Sequence, residues 1–100
     1  MATLTTKNIT AEDTFTDAVK LEGHFNLSLT GPTFTNTTTV TVQRSPDNST
    51  WYDVDTFTKP TEDVGFEPEF MWYRVGVKTG DFTVADDINV RLGREDKDRH

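Results

Sequence analysis

The sequence predicts an all-β protein: a single-domain antiparallel β-sandwich of about seven strands. Apolar and polar residues alternate in several short segments, and turn-forming Gly, Pro, Asn and Asp separate these segments at intervals of about 10 residues. Threonine, a β-branched residue suited to pleated strands, dominates the composition. These observations favour an immunoglobulin-like, fibronectin-like or jelly-roll-like arrangement of the strands.

Residues 1–13 are predicted to form an N-terminal arm or edge strand, and residues 14–94 the sandwich domain. Short edge strands are expected around Leu4 and at 15–19. The segment "LEGHFNLSL" is a half-buried strand by its strict alternation. Its inward residues are Leu21, Phe25, Leu27 and Leu29, and its outward residues are Glu22, His24, Asn26 and Ser28.

A hairpin is predicted next, in which "TVTVQR" and "WYDVDTF" are joined by the turn residues of "SPDNST". In its second strand we expect Tyr52 and Val54 to face inward, with Trp51 at the rim. The segment "TKPTEDVGFEPEF", residues 58–70, holds two prolines and a glycine. It is therefore predicted to be an irregular connection with at most a short strand at 64–66.

The segment "MWYRVGVKTGDFTVADDINVRLGR" is predicted to be the central hairpin of the sandwich. Its inward residues are Met71, Tyr73, Val75, Val77, Ile88, Val90 and Leu92. Tyr73 occupies the place of a tyrosine corner, so its hydroxyl is expected to tie down the preceding crossover. Residues 95–100, within "REDKDRH", have no apolar anchor and are predicted to be a charged flexible tail.

The charge and composition oppose several classes of function. The net charge is −7, whereas nucleic-acid and anionic-membrane partners favour basic surfaces, so we expect neither. Cysteine is absent, which excludes disulfides, thiolate metal sites and cysteine nucleophiles. The N-terminus lacks the pattern of a signal peptide, and no window has the roughly 18 apolar residues of a membrane span. We therefore expect a soluble protein that is not exported by the Sec pathway.

No catalytic, cofactor-binding or metal site is predicted, and we do not expect an enzyme. His24 lies on a polar strand face and His100 ends the chain, so they do not suggest a triad or a zinc site. The aspartates Asp81, Asp86 and Asp87 could be imagined around calcium, but EF-hand spacing is missing. The preferred interpretation is that such carboxylates solvate loops and oppose edge-to-edge strand pairing.

Three stretches together resemble a family of small virion proteins of tailed phages: "TVTVQRSPDNSTWYDVDTFT", "EDVGFEPE" and "MWYRVGVKTGDFT…INVRLGR". The resemblance covers residues 27–93, and the order of the motifs is more specific than any one of them. Asn48 and Ser49 stand where paired glycines are usual, and "DFTVADDINV" replaces a shorter glycine-containing turn. The resemblance implies a structural role in the virion, assembled in the host cytoplasm, as a capsid decoration, cement or head-fibre-like part.

The aromatic residues are too numerous for so small a core, so some are expected to meet a partner. The partner-contact candidates are Phe66, Phe70, Trp72, Trp51 and Phe34. The expected partners are the major capsid protein or another virion protein, and sister copies, with a trimer as the first hypothesis. Two alternatives stay open: a tail, connector or head-fibre component, and a carbohydrate-binding adhesion module in which Trp51, Tyr52 and Asp53 hold a host-surface glycan.

Overall fold

A computed structural model describes residues 2–35 and 37–95 of the chain. These ranges contain seven strands and no helix: β1 (Ala2–Ile9), β2 (Thr14–Phe15), β3 (Val19–Thr33), β4 (Val40–Ser45), β5 (Tyr52–Phe57), β6 (Thr61–Val77) and β7 (Asp87–Glu95). All strand pairings among the described residues are antiparallel. The predicted all-β, antiparallel, single-domain class is confirmed.

The two layers of the molecule belong to one continuous sheet. Its strand order is β1-β7-β3-β6-β4-β5, and β2 also pairs with β6. The long strands β3 and β6, of 15 and 17 residues, take part in both layers. One half of β3 pairs with β7, and the C-terminal half of β6 pairs with β4. Buried residues of β4 and β7, which are separated by two strands in this order, belong to one apolar cluster, as expected when a single sheet folds over on itself.

That core contains the residues whose alternation predicted burial. Its buried members are Ile9, Leu21, Phe25, Leu27, Leu29, Val40, Val42, Tyr73, Val75, Val77, Ile88, Val90 and Leu92. Met71, also predicted inward, is half-buried and packs against this cluster. The inward and outward faces predicted for "LEGHFNLSL" are confirmed as well. Period-two alternation therefore identified the buried faces of β3, β7 and the C-terminal half of β6 correctly.

The predicted connection at 58–70 is wrong over most of its length, because strand β6 already begins at Thr61. A bulge accommodates the proline that suggested a break. The pairing of β3 with β6 shifts between Leu21 and Gly23, so that residues 68–70 of β6 oppose the single residue Glu22. Pro68 thus lies where the regular ladder is interrupted and its missing N–H does no harm.

The predicted central hairpin is also wrong. Strand β7 pairs with β1 and β3, and no pairing joins β6 to β7 in the described residues. The connection at 78–86 instead carries the chain from one layer to the other. Alternation shows which face of a strand is buried but not which strand lies beside it. The sequence therefore identified β7 and the C-terminal half of β6 as strands but did not predict their partners.

Strand β5 differs from the prediction in its inward face. Tyr52 and Val54 are 59% and 49% exposed, not buried. β5 lies at the end of the strand order, and its register against β4 shifts between Val42 and Gln43. Val54 is the extra residue of this bulge, and Phe57 is the residue of β5 that packs against the core.

At the opposite end of the sheet, β1 pairs with β7 along its whole length, from Ala2 to Ile9. Residues 1–13 thus supply an edge strand, the second of the two roles predicted for them. Gly93 allows this pairing because a Cβ there would lie 2.1 Å from the carbonyl oxygen of Thr3, and its φ is +138°. The tail predicted at residues 95–100 lies outside the described residues, apart from Glu95 itself.

Ala85 offers a test of the backbone in the 78–86 connection. It has a φ of 85°, and a left-handed conformation costs an L-residue about 1–2 kcal/mol that glycine avoids. Because glycine also loses more entropy on folding, Ala85→Gly is expected to raise the free energy of unfolding by about 0.5–1 kcal/mol in urea titrations. Ala11→Gly, where φ is not positive, is the control. If the two replacements changed the free energy of unfolding equally, or if Ala85→Gly lowered it, the positive φ assigned to Ala85 would be contradicted.

Candidate interaction surface

The five predicted contact residues fall into two groups. Phe66 and Phe70 are 58% and 55% exposed. Trp72, Trp51 and Phe34 are half-buried, and Phe34 packs against the core. The structure brings Phe66, Phe70 and Trp72 together on the outer face of β6 and places the other two elsewhere.

The outer face of β6 and the neighbouring part of β3 form one aromatic surface, defined here by Val64, Phe66, Phe70 and Trp72. Val64 is the most exposed of the four, at 66%. Cross-strand pairing puts residues of β3 beside these side chains. The pairs are His24 with Phe66 and Lys20 with Trp72.

Neighbouring side chains hold these rings in place. The ring centroids of His24 and Phe66 are 4.8 Å apart, and Lys20 Nζ lies 4.5 Å from the centroid of Phe70 and 5.6 Å from that of Trp72. Rings fixed before binding lose little rotamer entropy when a partner covers them. Large apolar rings next to a cation are typical of the residues that contribute most to protein–protein binding.

Beneath this surface, Glu67 is a buried carboxylate, 1% exposed. Arg44 Nε and Nη2 donate to its two oxygens at 2.7 and 2.8 Å. The Tyr73 hydroxyl donates to Oε1 at 2.6 Å, and the backbone N–H of Glu69 donates to Oε2 at 2.9 Å. Because Glu67 points inward, its neighbour Phe66 points outward, so this cluster fixes the geometry of the bulge that presents the rings.

The electrostatics of the cluster follow from these bonds. Hydrogen bonds from Arg44, with those from Tyr73 and Glu69, outweigh burial and lower the pKa of Glu67 to about 2. Burial, reinforced by the bond to Glu67, raises the pKa of the Tyr73 phenol to about 12. The hydrogen bond with Glu67 raises the pKa of Arg44 further above its ordinary value. The ion pair is therefore charged throughout the neutral pH range.

Sequence reasoning did not identify this cluster, although each of the three quoted motifs contributes one member: Arg44, Glu67 and Tyr73. The Tyr73 hydroxyl does hold the segment that precedes it, as expected of a tyrosine corner. It does so through a side chain six residues earlier. The sequence pattern points the other way, because apolar Val64 and Phe66 alternate with Glu67 and would place the carboxylate on the outer face.

The predicted glycan-binding residues are largely engaged within the protein. The Arg74 guanidinium carbon lies 4.4 Å from the centroid of the Trp51 ring, and so covers one of its faces. The two carboxylate oxygens of Asp53 accept from Gln43 at 2.8 Å and from Lys78 at 2.6 Å. Of these three side chains, only that of Tyr52 has no hydrogen bond or ring contact in the described structure.

The aspartates weighed for calcium have other roles. Asp86 is buried, and its carboxylate accepts from the Thr38 hydroxyl at 2.5 Å and from the Thr35 hydroxyl at 3.0 Å. It joins two connections of the chain, so the solvated-loop interpretation is wrong for Asp86. Asp87 accepts from Asn8 at 2.6 Å. Within residues 2–35 and 37–95, no three acidic or histidine side chains could together hold a metal ion.

No family model, curated protein or solved structure matches this chain. The similarity to tailed-phage virion proteins therefore stays a prediction from the quoted motifs. Among the described residues there is also no helix of the length and apolarity needed to span a bilayer.

Proposed function

We propose that this chain is a non-enzymatic structural protein of a tailed-phage particle, a decoration or cement protein that attaches to the head through its aromatic surface. The observation that carries the proposal is the pair Phe66 and Phe70, each more than half exposed beside a rigid bulge. The motif resemblance supplies the class of particle, and the aromatic surface supplies a means of attachment.

The energetics suit a lattice. Covering the exposed part of two phenylalanine rings removes apolar area from water and stabilises a contact by roughly 1–2 kcal/mol per ring. A single contact of this size is weak. Copies linked in an oligomer, such as the trimer expected from the sequence, would bind with much higher avidity. A protein that binds only the assembled shell stabilises that shell by mass action, which is the action of a cement.

The buried cluster supports such a role because it makes the attachment surface rigid. Bidentate pairing of Arg44 with Glu67 fixes the strand on which the rings stand. A rigid, apolar surface is suited to repeated identical contacts on a symmetric shell. It requires neither a cofactor nor a reactive side chain.

The proposal is tested on particles from which the gene for this chain has been deleted. Added wild-type protein is expected to bind these heads and to raise the temperature at which they release DNA. The double variant Phe66→Ser/Phe70→Ser is expected to bind roughly tenfold or more weakly, since about 1.4 kcal/mol of lost burial is a factor of ten. Binding is measured by co-sedimentation, and DNA release by dye fluorescence on heating.

The matched control is Val84→Ser, because Val84 is an exposed apolar residue in the 78–86 connection, away from the aromatic surface. It is expected to bind as the wild type does. Equal binding of the double variant and the wild type would reject the aromatic surface as the attachment site. Absence of binding by the wild-type protein would reject the placement on the head.

A further inference from the structure

The folded sheet is open along one side. Strand β5 ends the strand order, and the 61–67 half of β6 pairs with β3 on one side only, because β4 pairs with the other half of β6. A short turn at 58–60 joins the two strands, yet no pairing between β5 and β6 occurs in the described residues. Two free strand edges therefore face one another across a gap, called here the seam.

The seam opens onto the apolar core. It is a groove of about 210 Å³, and its floor is formed by Phe25, Leu27, Val42 and Tyr73. Val54 of β5 and Val64 of β6 stand exposed on its two walls. The Phe25 ring occupies the space next to Gly65 that a side chain would otherwise fill. A Cβ on Gly65 would lie 2.4 Å from Cζ of this ring, so any larger residue would displace it from the floor.

The seam also carries two carboxylates, both exposed to solvent through its open side. Asp55 is paired with the buried Val42, and Asp63 with the buried Leu27, so both aspartates lie on the inner face of their strands. Each turns back to accept the backbone N–H of the next residue in the chain, Thr56 or Val64. In the described structure neither has a lysine or arginine partner.

From this arrangement we infer that the seam binds an extended segment of a basic partner protein. This segment adds a β-strand to a free edge of the sheet. Its inward side chains are alternately valine-like and cationic, the cation being lysine or arginine. The apolar side chain enters the groove over Phe25 and Val42. The cationic side chain lies between Asp55 and Asp63. The seam shares Val64 and Phe66 with the aromatic surface but would hold its partner over the core, at Phe25 and Val42. The inference holds whether or not the chain belongs to a phage particle.

The chemistry of the seam selects this occupant. The N–H groups of Thr56 and Val64 are already bonded to Asp55 and Asp63. The other N–H and C=O groups of a free edge give affinity to an extended chain of any sequence, and pockets for alternate side chains give specificity. Inward charges at sheet edges normally prevent pairing with unwanted strands. Here the two carboxylates that line the groove disfavour acidic or wholly apolar strands, whereas a cation from the partner would offset their charge. The overall charge of −7 favours the same class of partner.

The test uses the full chain and a blocked nine-residue peptide, Thr-Val-Thr-Lys-Thr-Val-Thr-Lys-Thr, with a matched peptide in which glutamate replaces lysine. The lysine peptide is expected to give saturable shifts in amide NMR spectra, confined to residues 53–57 and 61–66. The glutamate peptide is expected to give none. Methylating alternate backbone nitrogens of the lysine peptide is expected to weaken binding roughly tenfold, since strand pairing is then blocked.

The decisive variant is Asp55→Asn/Asp63→Asn, which keeps the shape of both side chains and is expected to bind the lysine peptide roughly tenfold more weakly. Asp17→Asn/Glu22→Gln removes the same charge from exposed positions outside the groove and is expected to bind normally. The inference is overturned if the lysine peptide does not bind, if both double variants bind equally, or if the shifts lie along β1. Self-association through the seam without peptide would likewise overturn the assigned occupant.

Discussion

Replacing Glu67 with alanine is expected to lower the free energy of unfolding by about 3 kcal/mol, because removing one partner of a buried ion pair leaves the other uncompensated. The Tyr73 hydroxyl, which is buried, would also lose its acceptor. Arg44 keeps some contact with water, its side chain being 32% exposed, and this places the loss at the lower end of the range. Against a total stability of about 5–15 kcal/mol, the effect is large.

The control for this prediction is Glu62→Ala, an exposed residue of the same strand whose carboxylate accepts from the Ser28 hydroxyl. It is expected to cost less than about 1 kcal/mol. Replacing Arg44 and Glu67 together by methionine is expected to cost less than the sum of the single replacements, because no buried charge is then left alone. Equal effects of Glu62→Ala and Glu67→Ala in urea titrations would contradict the role assigned to the cluster.

Acid is expected to weaken the protein through the same carboxylate. The folded-state pKa of Glu67, about 2, lies below the ordinary value of 4.5. Its contribution is therefore fully present above pH 4.5 and is lost as the pH falls towards 2. One pKa unit corresponds to about 1.4 kcal/mol, so this contribution amounts to roughly 3 kcal/mol.

The measurement compares the wild type with Glu67→Gln, which cannot titrate at this position, by urea unfolding at a series of pH values. The difference in unfolding free energy is expected to be constant above pH 5 and to shrink by roughly 3 kcal/mol on approaching pH 2. Other carboxylates titrate equally in both proteins and cancel in the comparison. A difference that does not change with pH would show that Glu67 is not held ionised by Arg44.

How far the sequence predicted this fold depends on what kind of information a strand pattern contains. Alternation located the buried residues of β3, β6 and β7 correctly, since burial of one face imposes a period of two. It could not show that β7 lies beside β3 and not beside β6. Long-range pairing depends on how the whole sheet folds over, and no local segment encodes this.

Two residues that usually interrupt strands misled the prediction at β6. Pro68 and Gly65 both indicated a loop, but here one lies in a bulge and the other makes room for the Phe25 ring. Phe66 and Phe70 were nonetheless identified as contact candidates, because the aromatic residues are too numerous for the core and these two flank Pro68. The Glu67 cluster was missed because Arg44 comes from β4 whereas Glu67 and Tyr73 come from the two halves of β6, and their contact depends on the tertiary fold.

The most direct test of the proposed function is an electron cryo-microscopy reconstruction of the tailed-phage particle that carries this gene. The account predicts density for the chain on the outer surface of the head, with Phe66 and Phe70 in contact with the shell or with a sister copy. Density that places the chain on the tail, or on the head with both rings facing solvent, would contradict it, as would particles that lack the chain altogether.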